Sequence, residues 1–260
     1  HLPGAELPAA NVMVNPNLPG SRFGSRALAG VGVAFYVMVA LKRALDSAGL
    51  VAPSAPAPAE WLDLVALGTV ADVVPLDFNN RVLVAQGLAR IRAGRCVPGI
   101  RALLEIARRD RADLTASDLG FAIAPRLNAA GRLDDMSIGI RCLLADREVE
   151  ARSLAARLDQ LNVERRAIEG QMQVQALAAV RHLGPIATPG ARQRSGVCLF
   201  DATWHQGVVG LVASRIKERL RRPVVAFAHG GDGLLRGSAR SVAGVHVRDV
   251  LENIAARHPG

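Results

Sequence analysis

Lysine is almost missing from this chain: Lys42 and Lys217 are the only two among 32 basic residues. Positive charge is therefore carried by arginine, whose planar fork suits phosphate oxygens. Aromatic residues amount to 3%, so a core must be built from Ala, Val, Leu and Ile. Cysteine is confined to Cys96, Cys142 and Cys198, an odd number, widely spaced and without a CxxC pair. That argues against a disulfide framework or a zinc site and fits a reducing cytoplasm. His1 is the only histidine in the first 180 residues. The first residues do not read as a basic-then-apolar leader. The longest apolar stretch, Ala27 to Leu41, stops at Lys42-Arg43 and is too short to span a bilayer comfortably, so no membrane partner is expected. The glycines fit neither GxGxxG nor a P-loop, which excludes a nucleotide-cofactor fold.

What is present is an apolar, basic chain. Half of its 260 residues are hydrophobic, enough for one large domain or two ordinary ones. The net charge of +9 is unevenly placed: residues 1–180 carry 20 basic and 18 acidic side chains, whereas residues 181–260 carry 12 and 5. A basic C-terminal third suggests a polyanionic partner, most simply nucleic acid. The plainer alternative is a basic surface that keeps the chain soluble.

The grammar of the chain changes along its length. Asn11-Val12-Met13-Val14 reads as a short strand ending at the turn signal Asn15-Pro16. A Gly/Ser loop over 20–25 leads into a core helix over 27–48, apolar nearly all round. Residues 53–58 read as a polyproline-like connector. Helices follow at roughly 60–71, 79–93, 98–109, 116–124 and 136–145. From Arg147 to about His182 there is no proline and a single glycine, Gly170. Leu154, Leu158, Leu161, Ile168, Met172 and Leu177 fall near helical spacing there, which predicts one long helix. After a Pro/Gly/Arg loop over 188–195, strands (197–201, 224–228, 234–240) alternate with helices (208–221, 247–256), a compact α/β module.

Four stretches could carry chemistry. Asp72 is the only charge in the run Leu64–Leu76, which holds no Lys, Arg or His. Burying it requires a cation side chain or a metal as partner; alternatively, Asp72 caps the turn before Pro75. Asp63 and Asp77 are too far along the chain to form an obvious chelate with it. In Pro125-Arg126-Leu127-Asn128-Ala129-Ala130-Gly131-Arg132, two arginines bracket an asparagine and a glycine-permitted turn, able to present two forks to successive phosphates. The alternatives are a helix stop with solvated arginines, or pairing with Asp134 and Asp135. Trp204-His205-Gln206-Gly207 lies between a strand and a helix, where backbone amides favour an anion, with His205 as a nearby donor. Trp204 could stack on a base, or the pair could simply be a structural loop. Arg236-Gly237-Ser238-Ala239-Arg240-Ser241 interleaves hydroxyls with arginine on a strand edge, suited to a phosphate, or to keeping an edge from aggregating.

Taken in order, these stretches resemble the RecJ branch of the DHH phosphoesterases. The resemblance rests on His1-Leu2-Pro3, Asn15-Pro16, the run Leu67-Gly68-Thr69-Val70-Ala71-Asp72-Val73-Val74-Pro75-Leu76, and Pro125 to Arg132. It continues through Leu161-Asn162 with Glu164-Arg165, Trp204 to Gly210, and Gly237-Ser238-Ala239-Arg240-Ser241. It implies an α/β protein in three parts: a mostly helical, partial DHH phosphoesterase domain over 1–146, a connector helix over 147–182, and a DHH-associated nucleic-acid-binding domain over 183–260. The implied activity is 5′-to-3′ hydrolysis of single-stranded DNA in repair and recombination, in the cytoplasm, with Mn²⁺ or Mg²⁺ at a two-metal site. Single-strand-binding protein and a helicase are the implied protein partners. Asp72 would be a metal ligand and His1 the family's second signature histidine, facing the scissile phosphate. Arg126, Asn128, Arg132, His205, Ser238 and Arg240 would contact substrate phosphates. The family's other metal ligands would precede residue 1, so the chain is expected to be an internal piece of a longer enzyme and inactive alone. Two other readings are a DHH enzyme acting on short oligonucleotides or cyclic dinucleotides, and a non-catalytic DNA-binding scaffold.

Overall fold

The computed structural model describes residues 7–52, 54–182, 195–231 and 233–258. Its chain divides into two compact units, His1–Ala130 with Met136–Asp159, and Gly131–Asp135 with Gln160–Gly260.

The first unit is helical. Helix α1 (Gly30–Ser47) is followed by a 3-10 turn (Pro58–Trp61), α2 (Leu62–Ala71), α3 (Phe78–Arg92) and α4 (Pro98–Ile106). Then come a short α5 (Ala116–Asp118), a π turn (Leu119–Ile123), α6 (Ala124–Leu133), α7 (Ser137–Leu144) and the start of α8 (Glu148–His182). Aliphatic side chains fill the interior, with Ile91, Ile100, Leu103, Leu119 and Ile123 fully buried, as the scarcity of aromatics requires. Burial pushes the Cys142 thiol up to about 11 and raises Cys96 as well. Neither is therefore a ready nucleophile at neutral pH.

The start of α3 shows how the loops are pinned. Asp77 is its N-cap, with Oδ1 accepting from the Asn80 N–H at 2.9 Å, while Ser25 Oγ donates to Oδ2 at 2.6 Å. Asn80, fully buried, donates to the carbonyls of Ala27 and Pro75. The Asn80 backbone N–H and the Ser25 hydroxyl hold the Asp77 carboxyl below its ordinary range. Asp77→Ala should destabilise the fold by about 1–2 kcal/mol in a denaturant titration, the usual worth of a cap. In the unsubstituted protein this contribution is complete above the unfolded carboxyl value, about 3.9. It is lost as pH falls through the lower folded value. A variant equally stable at neutral pH would remove the cap from this account.

Three expectations from the sequence fail in this unit. The apolar helix expected over 27–48 is not a core helix: α1 buries only Gly32 and Phe35 and leaves Val37, Val39 and Leu41 exposed, since an apolar face is buried only where another element covers it. Residues 12–14 form no strand, and Val12 and Val14 are exposed: alternation makes a strand only when another strand supplies hydrogen bonds. Residues 125–132 contain no turn, because all of them lie within α6. The π turn explains how Pro125 is tolerated. Ala124 N–H reaches back to the Leu119 carbonyl, five residues away, which loosens the ladder just where proline could not donate. Of the connector over 53–58, residues 54–57 are irregular and Pro58 opens the 3-10 turn; Pro53 lies outside the described residues.

The second unit holds the rest of α8, which runs unbroken to His182, and the α/β module. Strand β1 (Val197–Phe200) pairs parallel with β2 (Val224–His229), which pairs antiparallel with β3 (Leu235–Arg240). Helix α9 (Val209–Leu220) connects β1 to β2, as parallel neighbours require, and α10 (Val247–Arg257) follows β3. Met172, Ala176 and Val180 of α8 share one core with Val197, Leu199, Val212, Ile216, Val224 and Ala226. Of the loop expected over 188–195, residues 188–194 lie outside the described residues.

Candidate nucleic-acid interface

In the first unit the sequence singles out Asp72, yet the buried carboxylate of its neighbourhood is Asp63. Asp63 is 1% exposed, accepts from Val97 N–H at 2.9 Å and so ties the start of α2 to the start of α4. Asp72 instead caps the C-terminal end of α2, its N–H bonded to the Gly68 carbonyl and its side chain exposed. The expectation of a costly buried charge is thus corrected: the apolar run ends just before it, and its carboxylate reaches solvent. Two unfavourable features meet there. A carboxylate sits at the negative end of a helix dipole, and Val73, β-branched, follows at φ 58°, a strain of about 1–3 kcal/mol. A cation bound at Asp72 would offset the first. No group of three or more His, Cys, Asp or Glu able to hold a metal occurs among the described residues. His1 lies outside them.

Helix α6 divides the two arginines of its motif. They are six residues apart, which on a helix turning about 100° per residue points them to different sides. Arg126 bonds through Nε to Asp159 at 2.8 Å and through Nη1 to the Ala122 carbonyl. Asn128 is exposed. Arg132 belongs to the second unit, where its Nη1 donates to the Gly207 carbonyl at 3.4 Å.

Around Arg132 the second unit gathers several donors. A Cβ on Gly207 would lie 2.0 Å from the Arg132 carbonyl oxygen, so only glycine lets the loop approach Arg132 this closely. His205 Nδ1 accepts the Gly207 N–H at 3.1 Å, which leaves Nε2 as the proton-bearing, donating nitrogen of the neutral ring. Helix α9 begins immediately afterwards with no side-chain cap on its first amides, an arrangement that favours an anion. Ser238 and Arg240 reach the same helix end from β3: a Cβ on Gly210 would meet Arg240 Nη2 at 2.9 Å and Ser238 Oγ at 3.0 Å. Arg240 Nη1 donates to Ser238 Oγ and to the Ala239 carbonyl, both at 2.8 Å. A cavity of about 450 Å³, lined by Gly131, Arg132, Gln206, Gly207, Gly231 and Arg236, opens beside the loop.

Burial, then the charges of Arg165 and Arg240, lower the proton affinity of Arg132, with Glu169 opposing them. Arginine holds its proton regardless, so Arg132 sits, partly buried, in the repulsive field of two further cations. An anion bound there would relieve that repulsion. The sequence alone assigned no role to Arg165 or Glu169, although their spacing of four on a helix was a readable signal. One expectation is corrected here. Trp204 is 4% exposed and donates from Nε1 to Gln175 at 3.0 Å, so it anchors the loop to α8 and is not available to stack on a base.

The chain is similar to known proteins along its whole length. Residues 193–260 match the family model of the DHHA1 domain. The whole chain is 59% identical to the single-stranded-DNA-specific exonuclease RecJ of Dickeya dadantii and 57% identical to that of Escherichia coli, spanning 45% of each. It also resembles the crystal structure of RecJ with Mn²⁺ from Thermus thermophilus, with TM-score 0.76 and 35% identity. That match covers 97% of this chain and 35% of the other. A second structure, exonuclease RecJ bound to manganese, matches with TM-score 0.72 and 36% identity, over 97% of this chain and 58% of the other. The class is thereby defined: a mostly helical α/β chain with a DHHA1 domain at its C-terminal end. From end to end it corresponds to a stretch of the RecJ single-stranded-DNA-specific exonucleases, and it spans about half the length of the curated relatives it matches.

Proposed function

We propose that this chain supplies the DNA-gripping part, and one metal ligand, of a metal-dependent 5′-to-3′ exonuclease that hydrolyses single-stranded DNA. The observation that carries the reading is the convergence of Arg132, Arg240, Ser238 and His205 on the uncapped start of α9. Guanidinium forks, a hydroxyl, an imidazole N–H and helix amides together suit a phosphate diester and ask nothing of the base. On the first unit, Arg126 and Asn128 are also proposed to contact substrate phosphates. Arg126 does so through the part of its fork not bonded to Asp159 and Ala122.

Asp72 is proposed as a ligand for Mn²⁺ or Mg²⁺. Its exposed oxygens are the hard donors these ions prefer, and the solved relatives named above are bound to such ions. The described residues fit one position of a metal centre and not a complete one, so the 260-residue chain alone is expected to be inactive. His1 is proposed to face the scissile phosphate. Action in DNA repair and recombination in the cytoplasm, beside single-strand-binding protein and a helicase, completes the proposal. No helix among the described residues is long and apolar enough to cross a membrane.

The test is digestion by the intact protein of 5′- and 3′-labelled single strands, duplexes and dinucleotides. Mn²⁺-dependent shortening of single strands from the 5′ end is expected, with duplexes spared. Preference for dinucleotides would support an oligonucleotide phosphodiesterase instead, and tight binding without digestion would support a scaffold.

A further inference from the structure

On α8, Asn162, Arg165 and Glu169 form a compact network that reaches α9 through Arg215, and the charges of Arg165 and Glu169 are felt at Arg132. Arg165 donates from Nη2 to Asn162 Oδ1 at 2.8 Å and from Nη1 to Glu169 Oε2. Glu169 also receives Nε of Arg215 on α9, at 3.5 Å. The side chains of Arg165 and Glu169 are 12% and 13% exposed, and Asn162 is 1% exposed with a buried amide nitrogen that has no hydrogen-bond partner. Burying an ion pair and an unpaired amide is expensive, and apolar side chains of similar volume would pack there without that cost.

The geometry also limits what Glu169 does. Arg132, Arg165 and Arg240 together carry three positive charges, and among them Glu169 neutralises only one. We propose that Glu169, with Asn162, is a positioning residue. It holds Arg165 beside Arg132 and Arg240, so that the cluster meets a DNA phosphate as one fixed set of donors. The inference rests on the phosphate-binding reading given above.

Removing the carboxylate separates two physical accounts, because they differ in sign. If Glu169 merely reduces the positive potential, Glu169→Gln adds a net charge of +1, and single-stranded DNA should bind more tightly with a steeper salt dependence. If Glu169 positions Arg165, the same change weakens binding, by about 30-fold or more as for truncating one partner of a buried charged pair. The slope of log K against log salt should then become shallower by about 0.7 for each phosphate that the cluster no longer neutralises.

The measurement is fluorescence anisotropy of a labelled oligothymidylate with the intact protein, across a salt series without divalent metal. Arg240→Ala is measured alongside and is expected to weaken binding and flatten the salt dependence. Weakening in both variants supports the inference. Weakening in Arg240→Ala alone, or tighter binding by Glu169→Gln, overturns the inference and leaves the phosphate site standing; no change in either overturns both. Should Glu169→Gln lose its cooperative melt, Glu169→Asp carries the test, since it keeps the charge and shortens the arm. Weaker binding with an unchanged melt is then expected, and unchanged binding overturns the inference.

Discussion

Asp72→Ala in the intact protein should abolish Mn²⁺-dependent digestion of single-stranded DNA, a loss of about 10³-fold or more when metal activation of the attacking water is impaired. Binding of the same strand without metal should stay within about twofold, because nonspecific affinity resides in arginine contacts to phosphate. The separation follows from where the residue lies. Asp72 is exposed at the C-terminal end of α2, and no described side chain bonds to its carboxylate, so its removal breaks no packing or ion pair. The melting temperature should hold or rise slightly, since a negative charge leaves the negative end of a helix dipole. Digestion that survives the substitution would return Asp72 to the role of a turn residue before Pro75.

Gly207→Ala should be nearly as damaging for a different reason. The new methyl would sit 2.0 Å from the carbonyl oxygen of Arg132, and both partners are backbone, so neither can rotate away. The loop carrying His205 must then move off Arg132, whose bond to the Gly207 carbonyl breaks. Overpacking of this kind costs about 1–3 kcal/mol, seen as a drop of a few degrees in melting temperature. A displacement near 1 Å in a binding constellation can reduce turnover about 100-fold. Wild-type melting and digestion together would mean that the loop does not need its close approach to Arg132.

Much of the secondary structure was legible. The long helix α8 was readable because thirty-five residues contain no proline and one glycine, with apolar positions recurring near the helical period. The change of grammar after it was readable because β-branched runs alternate with amphipathic ones. The exceptions share a cause. Asn11–Val14 has the local pattern of a strand but no partner strand among the described residues. Gly131 has the local look of a turn, yet α6 continues through it to Leu133.

The candidate site was legible in part. Residue type and placement single out Arg132, His205, Ser238 and Arg240, and the four lie around the loop at 204–210. Arg126 was named on the same grounds, yet much of its fork is bonded to Asp159 and Ala122. Trp204 has the residue type of a stacking surface but lies in the core. Arg165, Glu169 and the two close-approach glycines received no role, because their roles depend on what lies opposite them.

The sequence by itself determined the kind of partner and the elements that meet it: arginine in place of lysine, a basic C-terminal third, and helices and strands spaced by the periods of their apolar residues. Those are properties of composition and of neighbours a few positions apart. Only the tertiary structure decided which carboxylate is buried, Asp63 and not Asp72, and which arginines share a space. Burial and pairing are settled between residues far apart in the chain, such as Arg132 and Gly207. No local pattern fixes the distance between them.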